Sequence, residues 1–361
     1  MHMCESFADQ EFQGLRMEVE LVVPKRFSIS DLGKKDPFVY YGVKRNFTIK
    51  RIFCFDLTPL NKYLGPVSSL IQALSFSFFS FFYLLFKRTD TIYGRDRFDL
   101  ILIGIFRPFV FEVHKIHKFL DICLAKRAKK IIAITGGIRD ELVKAGVDKE
   151  KIFVAPDAAN IKMLDIQCST PEARKKTNLP IDKKIILYAG HLYKWKGVET
   201  LALASKFLSE NEFIVIVGGI KWYLSDFKKF VNKNNLKNVL VLGHQDYLKI
   251  PYFLKSADCL VLTGTKNSEV SQYQTSPMKM FEYMAARKPI VASDLPSFRE
   301  VLNEGNAILV EPDSPEAMAK GIKTALENKE LSVRISEQAY QDVQNYTWDN
   351  RAVSILEFIN K

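Results

Sequence analysis

From Lys184 to Val310 short apolar runs alternate with loop and helix stretches, and this alternation limits the possible folds more than any other feature. The runs are Lys184–Ala189 (K-I-I-L-Y-A), Glu212–Gly218 (E-F-I-V-I-V-G), Val239–Gly243, Ala257–Leu262, Ile290–Ser293 and Asn306–Val310. Strands separated by helix-length segments form βαβ units, and sheets made of such units are parallel and buried on both faces. The first half repeats the pattern less clearly. Thr91–Asp96, Pro108–His114, Lys130–Thr135 and Lys151–Ala155 read as strands, with helices at 119–128 and 138–144 between them. Leu100–Phe106 is apolar, and periodicity alone does not divide helix from strand there. At 361 residues the chain is long enough for two domains. The polar stretch from Asn160 to Pro180 reads as the linker, which puts one α/β domain at 1–165 and the other at 166–345.

The start of the chain is unusual for this class. A helix-like spacing (Met3, Cys4, Phe7, Ala8) precedes the strand-like Met17–Pro24, whereas a nucleotide-type domain begins with a strand and a Gly-rich turn. The expectation is that this first strand is missing. Further on, Phe38–Asp56 carries strand-like material, clearest at Arg51–Phe55. Leu70–Phe86 has no charge and is near the minimum length of a membrane span, yet it holds three serines and a glutamine and runs into Lys87-Arg88. Three placements are open. A buried helix of the first domain comes first, a helix lying on a membrane interface second, and a span, which would cut an α/β domain in two, last.

The net charge of +11 calls for an anionic partner. Nucleic acid ranks last, because the basic residues are dispersed and no finger or RNP-type motif is present. An anionic membrane face and anionic substrates rank first. Five widely spaced cysteines without a C-x-x-C pair fit a reduced, cytosolic setting, with Cys123 and Cys259 in apolar runs as core residues. No signal peptide is read at the start.

The densest chemistry lies between Gln274 and Leu302. Ser276-Pro277 reads as a helix start, with serine as N-cap and proline at the first position. Lys279 and Glu282 share a face of the first turns. Arg287-Lys288-Pro289 ends the helix, Ile290–Ser293 is a buried strand, and Asp294–Leu302 opens another helix. A loop feeding a helix N-terminus suits a phosphate, and a carboxylate nearby accepts from sugar hydroxyls. Upstream, Gly190–Gly197 (G-H-L-Y-K-W-K-G) leads from a strand into a helix at Val198.

This stretch resembles the signature of glycosyltransferase family 4, the retaining nucleotide-sugar enzymes of the GT-B fold. The pattern S-P-x-K-x-F-E-Y-M-A-A-x-K-P-I-V-A-S-D-L-P matches almost residue for residue. The resemblance is strong from about residue 184 and weak before it. It implies two Rossmann-like domains facing across a cleft, with Tyr346–Ile359 (Y-T-W-D-N-R-A and onward) crossing back to complete the first. It implies that Lys196, Gly190, His191, Gly197, Thr275, Ser276 and Lys279 hold a nucleotide diphosphate. Glu282 would bind the ribose, Gln274 the donor sugar, and His114, after E-x-H, would lie beside the reacting sugar's hydroxyls. Arg95 and Thr135 are possible acceptor-side residues. Two positions depart from the family pattern: Gln274 stands where the first of two glutamates falls, and His191 where an arginine does.

The expected activity is transfer of a sugar from a nucleotide-diphosphate donor to a lipid-linked or polysaccharide acceptor. It is expected in the cytoplasm, peripheral at the inner membrane face, with Lys196, Glu282 and His114 as catalytic residues. No D-x-D occurs in the chain, so no metal is expected and protein cations would stabilise the leaving diphosphate. The alternative is a truncated or non-catalytic GT-B homologue that binds a nucleotide or serves in an assembly.

Overall fold

A computed structural model describes residues 1–12, 14–27, 35–117 and 119–361. The chain divides into two compact units, Met1–Ala155 with Trp348–Lys361, and Pro156–Thr347. The strands, in chain order, are β1 (Glu11–Phe12), β2 (Leu15–Arg16), β3 (Glu20–Lys25), β4 (Thr48–Phe53), β5 (Tyr93–Gly94), β6 (Val110–Val113), β7 (Lys130–Ala133), β8 (Ile152–Val154), β9 (Lys184–Ala189), β10 (Glu212–Val217), β11 (Val239–Gly243), β12 (Cys259–Leu262), β13 (Ile290–Ser293) and β14 (Ile308–Val310).

The second unit is built on a six-stranded parallel sheet in the order β11-β10-β9-β12-β13-β14. This is the doubly wound order, in which ligands bind beyond the carboxyl ends of the strands, where the order reverses. β9 stands at that reversal. Its side chains alternate between two cores: Ile185 and Leu187 pack on one face with Phe281 and Met284, Ile186 and Tyr188 on the other with Leu201 and Ile322. The apolar runs of the sequence exist because both faces are covered.

The stretch expected as a linker belongs to this unit. Ser169 and Glu172 form a reciprocal capping box that starts the helix Thr170–Thr177. Arg174 in that helix is buried and donates to the carbonyls of Ser256, Ile181 and Lys183 at 3.0, 2.9 and 2.9 Å and to Asp258 at 2.6 Å. These bonds fix the segment, and the division between the units falls after Ala155.

The first unit has a four-stranded parallel sheet β5-β6-β7-β8, a two-stranded parallel sheet β3-β4, and the hairpin β1-β2. The helix His2–Ala8 leads. Phe38–Tyr41, expected among strand material, falls instead in the helix Pro37–Tyr41, started by Asp36, whose carboxylate accepts from the Phe38 and Val39 amides. Leu100–Phe106 lies in the helix Arg97–Phe106, capped by Asp96. The C-terminal helix Trp348–Ile359 packs on the four-stranded sheet through Ile355, Leu356 and Ile359. Cys259 is fully buried, but Cys123 is partly exposed and not the core residue expected.

The helix Pro66–Phe86 departs furthest from expectation. It is the one described helix long and apolar enough to cross a membrane, and it is not buried. Its inward side carries Phe76 together with Ser68, Ser77 and Ser80, while phenylalanines and leucines point outward.

Candidate functional site

The carboxyl ends of β9, β10 and β12 bring backbone into close approach. Gly190, Gly197 and Gly218 have φ of +151°, +65° and +110°, and Gly264 follows β12. A Cβ on Gly197 would stand 2.7 Å from the Gly264 carbonyl oxygen, and one on Gly218 would stand 2.3 Å from that of Gly190. Only glycine allows these turns to pack. The result is a shallow backbone cradle of the kind that admits phosphate.

Two lysines reach it. The carbonyl of Lys196, on the one-turn helix Lys194–Lys196, accepts from Thr263 Oγ1 at 2.6 Å, and its Nζ lies 3.5 Å from Thr275 Oγ1. Lys279, in the first turn of the helix Met278–Ala285, is buried, with Nζ 3.6 Å from the centroid of the Tyr188 ring. A Cβ on Gly190 would stand 2.9 Å from that Nζ. Among the described residues Lys279 Nζ has no hydrogen-bond acceptor. A buried ammonium without an acceptor is costly unless an anion joins it. Burial lowers both lysines, Lys196 to about 8 and Lys279 well below its ordinary value, and Lys196 adds to the lowering of Lys279.

Glu282 follows one turn later, its carboxyl pushed up to about 7 by burial and drawn back by Lys279. Tyr283, four residues after Lys279 and so on the same face, has a hydroxyl that accepts from the Ala189 amide at 2.7 Å and fixes the helix to the end of β9. Gln274, Thr275 and Ser276 are buried in the loop before the helix. Ser276 is not the N-cap the sequence led us to expect. Pro277 occupies that position without a side-chain cap, and Ser276 Oγ accepts from the Asp157 amide at 3.0 Å. His191 is exposed and stacks on Tyr193, and burial with the charges of Lys196 and Lys279 lowers its pKa.

The first unit holds a separate polar cluster. Glu112 on β6 is buried and bonded by Tyr93, by His114 and by Arg351 Nη1 at 3.3 Å. Burial works against its charge, but Arg351 and His114 hold the carboxyl well below its usual range. Arg95 lies 3.3 Å from His114 Nδ1. Thus Arg95 and His114 do meet, around a carboxylate that the sequence reading missed. Its sign was present, since Glu112 and His114 are two apart on a strand and so share a face. Thr135 is buried, and its Oγ1 accepts from the Ile138 amide at 3.1 Å as the cap of the helix Gly136–Lys144.

The sheet order defines a doubly wound α/β unit. Residues 169–342 match the family model of glycosyl transferases group 1. An uncharacterized glycosyltransferase of Methanocaldococcus jannaschii is 26% identical over 228 residues, 62% of this chain and 56% of that protein. The alpha-D-kanosaminyltransferase of Streptomyces kanamyceticus is 25% identical over 233 residues, 62% of this chain and 58% of that protein. The match therefore spans little more than half the length of these relatives. Anabaena HepE, solved in complex with UDP and glucose, shares the fold with a TM-score of 0.71 at 19% identity, over 88% of this chain and 87% of that one. The fold is of the GT-B type.

Proposed function

We propose that the protein is a retaining glycosyltransferase that moves a sugar from a nucleotide-diphosphate donor to a lipid-linked or polysaccharide acceptor. The observation that carries this reading is the acceptor-less ammonium of Lys279 beside the Gly190 turn. A diphosphate supplies the missing acceptor, and Lys196 adds a second cation. Both favour charge that grows on the leaving diphosphate as the glycosidic bond breaks, which is stabilisation in the transition state.

Glu282 takes the ribose hydroxyls, and Gln274 the donor sugar through its amide. Thr275 orients Lys196, and Gly190, Gly197 and the exposed His191 line the diphosphate. In the first unit His114, held by Glu112 and Arg95, is the group for a sugar hydroxyl. The reading needs no metal, because the two lysines supply the charge. Its setting is the cytosol, in keeping with five free cysteines.

Calorimetric titration with uridine, guanosine and adenosine diphosphates and their sugars tests the reading, on the unaltered chain and on Lys196→Ala. UDP comes first because HepE was solved with it. Binding of one base, weakened in the variant, supports the donor site. A folded chain that binds none overturns it. His191 and Gln274, which stand where the family pattern has an arginine and a glutamate, favour a second reading, a homologue that binds the nucleotide without turnover. Sugar release from the bound donor with no acceptor, or transfer to glycan extracts, separates the two.

A further inference from the structure

The helix Pro66–Phe86 is amphipathic in the inverse of the usual sense. Three of its serines are buried against the protein: Ser77 Oγ donates to the Phe98 carbonyl, Ser80 Oγ to the Ser77 carbonyl at 3.1 Å, and Ser68 Oγ to the Gly65 carbonyl at 2.9 Å. Val67, Leu70, Leu74, Phe78, Phe82 and Phe86 face outward, at intervals of three or four residues, so they form one stripe along the whole helix. Phe78, Phe82 and Phe86 are 51%, 45% and 81% exposed. At 1.5 Å per residue the stripe runs for about 30 Å.

The stripe continues into its neighbours through touching rings. Phe55, Phe53, Phe79, Phe78 and Phe82 follow one another at centroid distances of 5.2, 5.1, 5.4 and 5.0 Å, and Phe81 joins Phe82 to Phe106 at 5.1 and 5.5 Å. Phe53, Phe55 and Phe106 are themselves at least half exposed. Among the described residues nothing covers this surface. A patch of this extent on a soluble chain marks a binding face.

Its border is mainly basic, with Glu20 there as the partner of Lys87 at 3.2 Å. Lys50 and Arg51 are exposed on β4, and Lys87 and Arg88 at the carboxyl end of the helix. Lys50 and Lys87 both lie over the Tyr83 ring, at 5.4 and 5.8 Å. Arg107 donates to the carbonyls of Leu84, Lys87 and Thr89 at 2.9, 2.8 and 2.6 Å and so braces the end of the helix. The opposite side is part of the protein: Phe76 packs with Ile52 and Cys54, while Phe81 and Leu84 pack with the core around Leu100. The helix cannot cross a bilayer without dismantling that core.

We infer that this face lies in the interface of an anionic lipid surface, with the phenylalanine ridge among the acyl chains and the Lys50, Arg51, Lys87 and Arg88 side chains at the headgroups. A straight, uncharged aromatic ridge with basic residues at its edge and end fits a planar anionic surface. The inference stands on the first unit alone and does not rest on the transferase reading.

The test is flotation of the full chain with vesicles of phosphatidylcholine alone and with phosphatidylglycerol added, at low and high salt. The expected result is binding to the anionic vesicles, weakened by salt. Phe78→Ser with Phe82→Ser should lower the partition coefficient about tenfold per ring removed, with thermal unfolding and nucleotide titration as controls for folding. Phe82→Trp keeps the surface apolar. Its indole fluorescence should shift to the blue with vesicles and be quenched by brominated acyl chains. A folded chain that floats with neither vesicle, or equal partition of the double variant, overturns the inference. So does a vesicle-independent dimer that Phe78→Ser abolishes, because the face is then covered by a second copy.

Discussion

The Lys279 ammonium rests 3.6 Å from the centre of the Tyr188 ring, buried and without an acceptor among the described residues. The ring face stabilises the cation in part, but most of the desolvation cost remains. Lys279→Met should therefore raise the melting temperature of the nucleotide-free chain, by about 1–3 kcal/mol in stability. The same change should weaken nucleoside diphosphate binding about 10- to 100-fold. Calorimetry and thermal unfolding on one preparation check both. A variant that is less stable and binds as well as the original means that the lysine is structural.

The lysines also set a pH dependence. Lys196 titrates at about 8 in the free chain, because burial disfavours its charge. A bound diphosphate favours the charged form and raises that value. Binding then takes up protons, and affinity falls as pH rises through 8, by up to about tenfold per pH unit. Lys196→Arg keeps its charge and should show a flatter profile. Titration in buffers of different ionisation enthalpy reads the proton uptake directly.

Glu282 gives a pH dependence of stability rather than of affinity. Its carboxyl is raised from 4.5 to about 7 by burial, so the folded chain holds a proton that the unfolded chain has released. That contribution is complete below pH 4.5 and is lost as pH rises through about 7. Glu282→Gln has no charge to bury. Its melting temperature should gain on the original between pH 4.5 and 7 and hold the gain above, while its affinity for the nucleotide falls if the ribose is the carboxylate's partner.

The two glycines beside the lysines should fail in different ways. Gly197→Ala sets a Cβ 2.7 Å from the Gly264 carbonyl at a φ of +65°, against backbone that cannot give. It should destabilise the chain by about 1–3 kcal/mol. Gly190→Ala meets mainly the tip of Lys279, at a φ of +151°, so it should lower diphosphate affinity through the lysine as well as stability through the backbone. Unfolding and titration of both variants separate the outcomes.

The second unit was largely legible because its information is local. Lys184–Ala189 and Ile290–Ser293 match their strands to the residue, since a strand buried on both faces must be apolar throughout. The lysine, glutamate and glycine positions of the cradle follow from a dense motif. What escaped is what depends on a distant partner. Ser276 looks like a cap in sequence, yet its hydroxyl is taken by the Asp157 amide. Glu112 became visible as part of a cluster only when Arg351 reached it from the last helix. The helix Pro66–Phe86 carries too little polarity for periodicity to say which side faces in, and a hydrogen bond from Ser77 to Phe98 decides it.

The Glu112–Arg351 pair carries its own test. Both side chains are almost fully buried, so removing Arg351 takes away the one buried cation beside the Glu112 carboxylate and leaves it with the partly exposed His114 and Arg95. Arg351→Met should cost about 3–5 kcal/mol, seen as a lower melting transition of the first unit. Arg351→Met combined with Glu112→Gln should recover part of it. Equal loss in the single and double variants would show that Arg351 acts through packing alone.

The two units also differ in when they can form. Ala159 pairs with Thr347 as neighbouring strand residues, and the Ala159 amide donates to the Tyr346 carbonyl at 3.0 Å, so the second unit closes on itself within an unbroken stretch of chain. The first unit does not. Its leading helix is bound to the last one by Ser6 Oγ on Asp349 at 2.7 Å and by the stacked rings of His2 and Trp348. On a ribosome the nucleotide-type unit is complete while the first still waits for its closing helix, with the phenylalanine ridge already made. Through that interval the ridge is apolar surface open to association with other chains.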